Sequence, residues 1–235
     1  MKSAHLAPCL IAAVLAASTA VARPLVVVEL YTAQGCGSCG KADALAAGLA
    51  DHAGLTALTF NVDYWDYLGW KDTFAQSEFA DRQRAYDKRF GLRDVYTPQV
   101  IIDGIAQASG DNPAEIDRLI RAARRARVSG PDITPRADGT VAVMTGRAPR
   151  GGDDVWLIRY DPRTQSVVVK DGETKGQTLA HRNVVRQLIK LGDWTGKRRV
   201  FHLPAAKEEG LETLILVQAP NGGRIVGALR QAPKA

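Results

Sequence analysis

Val26-Val27-Val28-Glu29-Leu30-Tyr31-Thr32-Ala33-Gln34-Gly35-Cys36-Gly37-Ser38-Cys39 is the stretch from which the rest of the chain is read. A continuous apolar run rich in valine predicts a strand over residues 24–31, buried on both faces, with Glu29 its one interruption. A loop, Thr32 to Gly35, delivers the cysteines. Ala42, Leu45, Ala46 and Leu49 then recur at helical spacing from Cys39 to about Ala50, and Gly54 supplies a stop. Two thiols three residues apart at a helix start lie one turn apart, so one can attack a disulfide while the other resolves the mixed intermediate. The unpaired N–H groups of a helix N-terminus favour thiolate over thiol. Cys36, nearer the solvent edge, is the expected nucleophile, and Cys39, inside the first turn, the resolving thiol. A disulfide that only pins a turn is the plainer alternative, although so short a loop restricts the unfolded chain by only about 2 kcal/mol. A structural zinc site wants four ligands, and the chain has no second cysteine pair.

The compartment follows from the first residues. Lys2, an apolar stretch from Leu10 to Ala17 and Ala20-Val21-Ala22 read as a signal peptide over residues 1–22, so the mature protein is expected to be periplasmic or secreted. Cys9 would leave with the leader. No segment has the roughly 20 apolar residues of a membrane span. The formal charge of the 235-residue chain is +6, and its densest basic cluster is Arg118, Arg121, Arg124, Arg125 and Arg127. These fill the later turns of a predicted helix, where positive charge suits the dipole, and no aromatic residues interleave them, so no nucleic-acid partner is expected.

The organisation suggests two parts, 23–128 and 129–235. In the first, Leu55 to Val62 reads as a second strand and Ser77 to Phe90 as a helix closed by Gly91. Gln99 to Ile102 and Ile105 to Ala108 form a hairpin across Asp103-Gly104. Asn112-Pro113-Ala114-Glu115 then combines an N-cap, a first-turn proline and a capping acid for a helix to about Arg127. The order β-α-β-α-β-β-α is that of a thioredoxin-like domain with a helical insertion. Ser129-Gly130-Pro131-Asp132 marks a linker. Beyond it, Ile133 to Met144, Val155 to Tyr160, Ser166 to Lys170, Lys197 to His202, Leu211 to Gln218 and Gly223 to Leu229 carry strand patterns separated by turn signals. They predict a mostly antiparallel β-sandwich. His181 to Leu191 is ambiguous between strand and helix.

Further candidate site residues surround the cysteines. Pro98 opens a core strand, a position that calls either for an edge or for a cis Thr97–Pro98 bond, the latter leaving the Thr97 backbone free to pair with a substrate strand. Glu29 is either a buried proton acceptor for Cys39 or a solvent-facing residue at a strand end. Tyr64, Trp65, Tyr67 and Trp70 follow no core period and are expected to wall the cysteine site, with capping of the core as the alternative. His52, His181 and His202 show no spacing of a ligand set or triad and read as surface or satisfied core histidines.

Four motifs resemble a family of secreted bacterial proteins of unknown function with a thioredoxin-like fold. They are Glu29-Leu30-Tyr31-Thr32-Ala33-Gln34-Gly35-Cys36-Gly37-Ser38-Cys39, Val62-Asp63-Tyr64-Trp65-Asp66-Tyr67-Leu68-Gly69-Trp70-Lys71-Asp72, Arg82-Gln83-Arg84-Ala85-Tyr86 and Tyr96-Thr97-Pro98-Gln99-Val100. The resemblance spans residues 25 to about 230 and implies Cys36, Cys39 and Pro98 as redox positions. The chain departs from the family habit at Gly37, where Ser is usual, and at Gly40-Lys41, where prolines are usual. The expectation is an exported thiol-disulfide oxidoreductase needing no cofactor and acting on protein or small thiol and disulfide substrates, its partner reductase or oxidase unnamed. Two other readings stand beside it: a Cu(I)-handling protein using the two soft thiolates, without a supporting methionine set because Met144 is the only methionine after the leader, and a redox-silent cell-envelope binding module.

Overall fold

The computed structural model describes residues 25–126 and 130–231. The expected leader with Cys9, the end of the Arg127 helix and the start of the Ser129 linker lie outside the described residues. The chain forms β1 (Val26–Thr32), α1 (Gly40–Leu49), β2 (Leu55–Asn61), α2 (Ser77–Phe90), β3 (Gln99–Ile102), β4 (Ala106–Ser109) and α3 (Pro113–Arg125). The order expected for the first part is the order observed, with a single 3₁₀ turn at Asp66–Leu68 inside the aromatic segment. There follow β5 (Ile133–Pro135), β6 (Thr140–Val143), β7 (Asp153–Asp161), β8 (Gln165–Val168), β9 (Thr178–His181), β10 (Val184–Trp194), β11 (Arg199–His202), β12 (Glu212–Gln218) and β13 (Ile225–Gln231).

β1 is apolar along most of its length because it is central: β2 runs parallel on one side and β3 antiparallel on the other. Its side chains alternate between two cores. Val26, Val28 and Leu30 meet Ala42 and Ala46 of α1 and Ile116 and Ile120 of α3. Val27 and Tyr31 face the opposite way, onto Phe79 and Tyr86 of α2. α3 starts as its sequence signals, with Asn112 Oδ1 accepting from the Glu115 amide at 3.2 Å and Pro113 in the first turn. Two of its exposed arginines pair on the helix itself, Arg118 with Glu115 and Arg121 with Asp117. Among the described residues no helix is long and apolar enough to cross a membrane.

The second part departs from a free-standing sandwich. One eight-stranded sheet runs in the order β13-β12-β7-β10-β2-β1-β3-β4, so the antiparallel strands extend the sheet that holds β1. The seam is narrow: β10 meets β2 through the pair Val184↔Thr59. Asn183, at φ 54°, reinforces it by donating from Nδ2 to the Ala57 carbonyl at 2.7 Å while its own carbonyl accepts from the Thr59 amide. α2 covers the seam, because its core also contains Ile158, Leu214 and Leu216. A sandwich-like layer does exist locally. The small sheet β11-β6-β5 lays Val141, Val143 and Phe201 against Val155, Leu157, Ile215, Val217 and Trp194 of the large sheet. The ambiguous stretch resolves into the end of β9 and most of β10, whose register shifts at Val185/Gln187 and Lys190/Gly192 break the alternation that would have marked a strand.

Candidate functional site

The loop from β1 to α1 is fixed before it reaches the cysteines. The Gln34 amide donates to Asp72 Oδ2 at 2.7 Å, and Asn61 Nδ2 donates to the same oxygen at 3.0 Å. Gln34 Oε1 accepts from Trp70 Nε1 at 2.9 Å, and Gln34 Nε2 donates to Thr73 Oγ1 at 2.8 Å. The Cys36 amide then closes a turn on the Ala33 carbonyl, and the Cys39 amide one on the Cys36 carbonyl. Cys39 is the N-cap of α1, and the two cysteines form a disulfide with Cα atoms 5.4 Å apart.

The aromatic segment divides. Trp65 Nε1 donates to Thr97 Oγ1 at 2.8 Å, and its Cβ lies against Gly35, so it ties the cysteine loop to the Thr97–Pro98 turn. Trp70 holds the loop through Gln34. Tyr64 turns towards α2, donating to Gln83 Oε1 at 3.1 Å. Tyr67 is 80% exposed. The Thr97–Pro98 bond is cis. Pro98 packs close to α1: a Cβ added to Gly110 would stand 2.7 Å from both Pro98 Cβ and Ala42 Cβ, and the Gly110 amide bonds the Pro98 carbonyl at 2.8 Å. Gly110 is there because nothing larger fits.

Both sulfur-bearing residues are covered, Cys36 being 3% and Cys39 1% exposed, whereas Gly37 and Ser38 between them are exposed. Cys36, expected to be the nearer to solvent, is the more exposed of the two by only this small margin. The far half of the chain also reaches the cysteine loop. β8 and β9 pair as a separate hairpin whose tip crosses the motif. Thr174 Oγ1 donates to the Gln34 carbonyl at 2.6 Å, and Glu173 Oε2 lies 3.4 Å from where a Gly37 Cβ would be. Asp171 and Gly172 abut Gly69, Leu68 and Trp70.

The chain matches the model of the family described as Protein of unknown function (DUF1223) over residues 27–218. It belongs to that family. Among solved structures, it is similar to the X-ray crystal structure of a protein from Agrobacterium tumefaciens, at 29% identity and TM-score 0.71, over 90% of this chain and 96% of that one. It also resembles HBP35 of Porphyromonas gingivalis in fold, at 14% identity and TM-score 0.61, over 90% of this chain and 76% of that one. No curated protein matches.

In this family member two of the buried acids near the motif, Glu29 and Asp43, have different surroundings. Glu29, on the α2 face of β1, receives Arg82 Nε at 2.9 Å, Arg82 Nη2 at 2.8 Å, Tyr31 Oη at 2.8 Å and Tyr86 Oη at 2.9 Å. Arg82 also donates to Gln218 Oε1 at 3.0 Å, and its guanidinium lies over Tyr86 and Trp156. Every Glu29 oxygen is committed to the far side of the sheet, the setting of a structural ion pair rather than of a base awaiting the Cys39 proton. Burial, with the Glu29 charge adding to it, drives the Tyr31 and Tyr86 phenols well above their usual range.

Asp43, absent from the sequence-based candidates, lies one turn into α1, 4% exposed. Its Oδ2 accepts from Thr32 Oγ1 at 3.2 Å, and its Oδ1 faces His181 Nδ1 at 3.3 Å. His181, read from sequence as a surface or satisfied core histidine, is wholly buried with Nε2 unpartnered. Burial acts to lower its pKa, but the hydrogen bond and charge of Asp43, with Asp72 beyond, outweigh that and raise it. The sequence signal for Asp43 is its position four residues after Cys39, on the same helix face. Among the described residues no group of three or more His, Cys, Asp or Glu is arranged to hold a metal.

Proposed function

We propose that this protein is an exported thiol-disulfide oxidoreductase built on a thioredoxin-like half, with residues 129–235 as a family-specific second half. The observation that carries the reading is the Cys36–Cys39 pair, joined at the N-terminus of α1 directly after the central strand and beside the Thr97–Pro98 turn. In the reduced form, the helix N-terminus and its unpaired amides stabilise a Cys36 thiolate, which attacks a substrate disulfide. Cys39 then attacks the Cys36 sulfur of the mixed disulfide, releasing the substrate as a dithiol and re-forming the internal bond; the reverse sequence oxidises a substrate dithiol. Protein or small thiols and disulfides are the substrates. Trp65 and Trp70 shape the site by holding its loops, and the hairpin tip has to yield before a sulfur reaches Cys36.

The test is the equilibrium of the pair with glutathione, read together with insulin reduction by the wild type and Cys36→Ser. Activity in the wild type and its loss in Cys36→Ser support the reading, and equal activity in the two sinks it. Burial of both sulfurs favours a second reading, a redox-silent pin beneath the hairpin. It predicts a disulfide that resists millimolar dithiothreitol until the protein unfolds.

A further inference from the structure

We propose that Asp43, held by His181, accepts the proton of Cys39 when that thiol resolves a mixed disulfide, a role that rests on the oxidoreductase reading above. The Asp43 amide bonds the Cys39 carbonyl at 3.0 Å, and Cys39 has helical backbone angles, φ −77° and ψ −26°. Residues four apart on a helix stand one above the other, and their side chains lean towards the N-terminus. The Asp43 carboxyl is therefore directed back at the turn that carries Cys39. Unlike Glu29, Asp43 has no arginine or lysine partner among the described residues; Thr32 and His181 hold its two oxygens. No arginine or lysine claims the Asp43 carboxylate, and the unpartnered Nε2 of His181 gives the pair a second place for a proton.

The step balances as follows. Cys36 thiolate attacks the substrate disulfide, forming Cys36–S–S–substrate and expelling one substrate thiolate. The Cys39 S–H proton passes to the Asp43–His181 pair as the Cys39 sulfur attacks Cys36. The bond between Cys36 and substrate breaks, the second substrate sulfur leaves as thiolate, and the stored proton returns to it. Two electrons pass from the two cysteines to the substrate disulfide, and the reverse path carries them back. The groups facing His181 are Asp43 from α1, Asp72 from the segment before α2, and the ring of Phe74. His181 is free to accept a proton only above its own titration, which the hydrogen bond and charge of Asp43, with the charge of Asp72, raise from the ordinary imidazole value. Resolution therefore speeds up as pH rises through that point.

The experiment mixes the reduced mature protein with a chromogenic aromatic disulfide and follows thiol release by stopped flow between pH 5 and 9. The first equivalent reports Cys36 attack and the second reports Cys39 resolution. Asp43→Asn is expected to leave the first phase near wild type and to slow the second about 100-fold. It should also erase the wild-type pH midpoint, so that the mixed disulfide accumulates. His181→Gln is expected to slow the second phase less and to move its midpoint. A wild-type second phase and pH profile in Asp43→Asn overturns the proposal. Should that variant not fold, an unmoved midpoint in His181→Gln overturns it instead. A wild type that releases no first equivalent overturns the oxidoreductase reading and this role with it.

Discussion

Glu29 and Asp43 flank the same cysteine loop, both buried, yet they belong to opposite kinds of site. Glu29 is locked by a bidentate arginine and two phenols on the α2 side of the sheet. Asp43 has a hydroxyl and an imidazole on the side of α1 that faces the hairpin. Burial of an acid does not by itself mark a reactive group; what decides is whether a permanent cation has already claimed its charge. The larger network holds the fold across the seam, since Arg82 reaches Gln218 of β12 as well as Glu29 of β1.

The most forceful way to break the comparison is Arg82→Met, which strands the Glu29 charge in the core. The expected loss is about 3–5 kcal/mol in chemical denaturation, the penalty of an uncompensated buried charge. Glu29→Gln with Arg82→Met should recover a large part of it, and a single variant as stable as wild type would show that Glu29 needs no cation.

Asp103 offers a third acid to compare. It accepts the Val27 amide at 2.7 Å from the β3–β4 turn, and burial pushes its pKa up to about 6. Because the folded value lies above the unfolded one, the folded protein holds this proton more tightly. Stability linked to Asp103 is therefore full at low pH and is lost as pH rises from the unfolded carboxylate range through about 6. Asp103→Asn, which keeps the acceptor and tolerates the observed φ of 49°, should be about 2 kcal/mol more stable at pH 7.5 and nearly neutral at pH 4. Denaturation midpoints at the two pH values check it, and equal gains at both would refute the linkage.

The smallest effect sharpens the Asp43 side. Thr174→Ala removes the hydrogen bond that fastens the hairpin tip to the Gln34 carbonyl. A bond worth about 1 kcal/mol shifts the open population roughly fivefold. Reduction of the Cys36–Cys39 disulfide by dithiothreitol should accelerate by about that factor. An unchanged rate would mean that reductant reaches the sulfurs without the hairpin moving.

What the sequence discloses here follows how local each signal is. The strand before Cys36, the helix after it and the capped start of α3 are written within a few residues and are read directly. Trp65 and Trp70 break a core period and hold the cysteine and proline loops, whereas Tyr67, which breaks it equally, is exposed. Glu29 was ambiguous because the arginine that claims it is 53 positions away. His181 could not be linked to Asp43 at a separation of 138 residues. The continuity of the large sheet was hidden for the same reason: it rests on one strand pair and an asparagine side chain, and β10 carries two bulges that blur its period.

The hairpin tip that crosses the cysteine loop is made of residues that follow the cysteines by more than a hundred positions. On a chain that emerges N-terminus first, α1 and its two thiols are present before their cover has arrived. The order of synthesis thus leaves an interval in which the two thiols are present and the hairpin is not. Docking of the hairpin ends that interval.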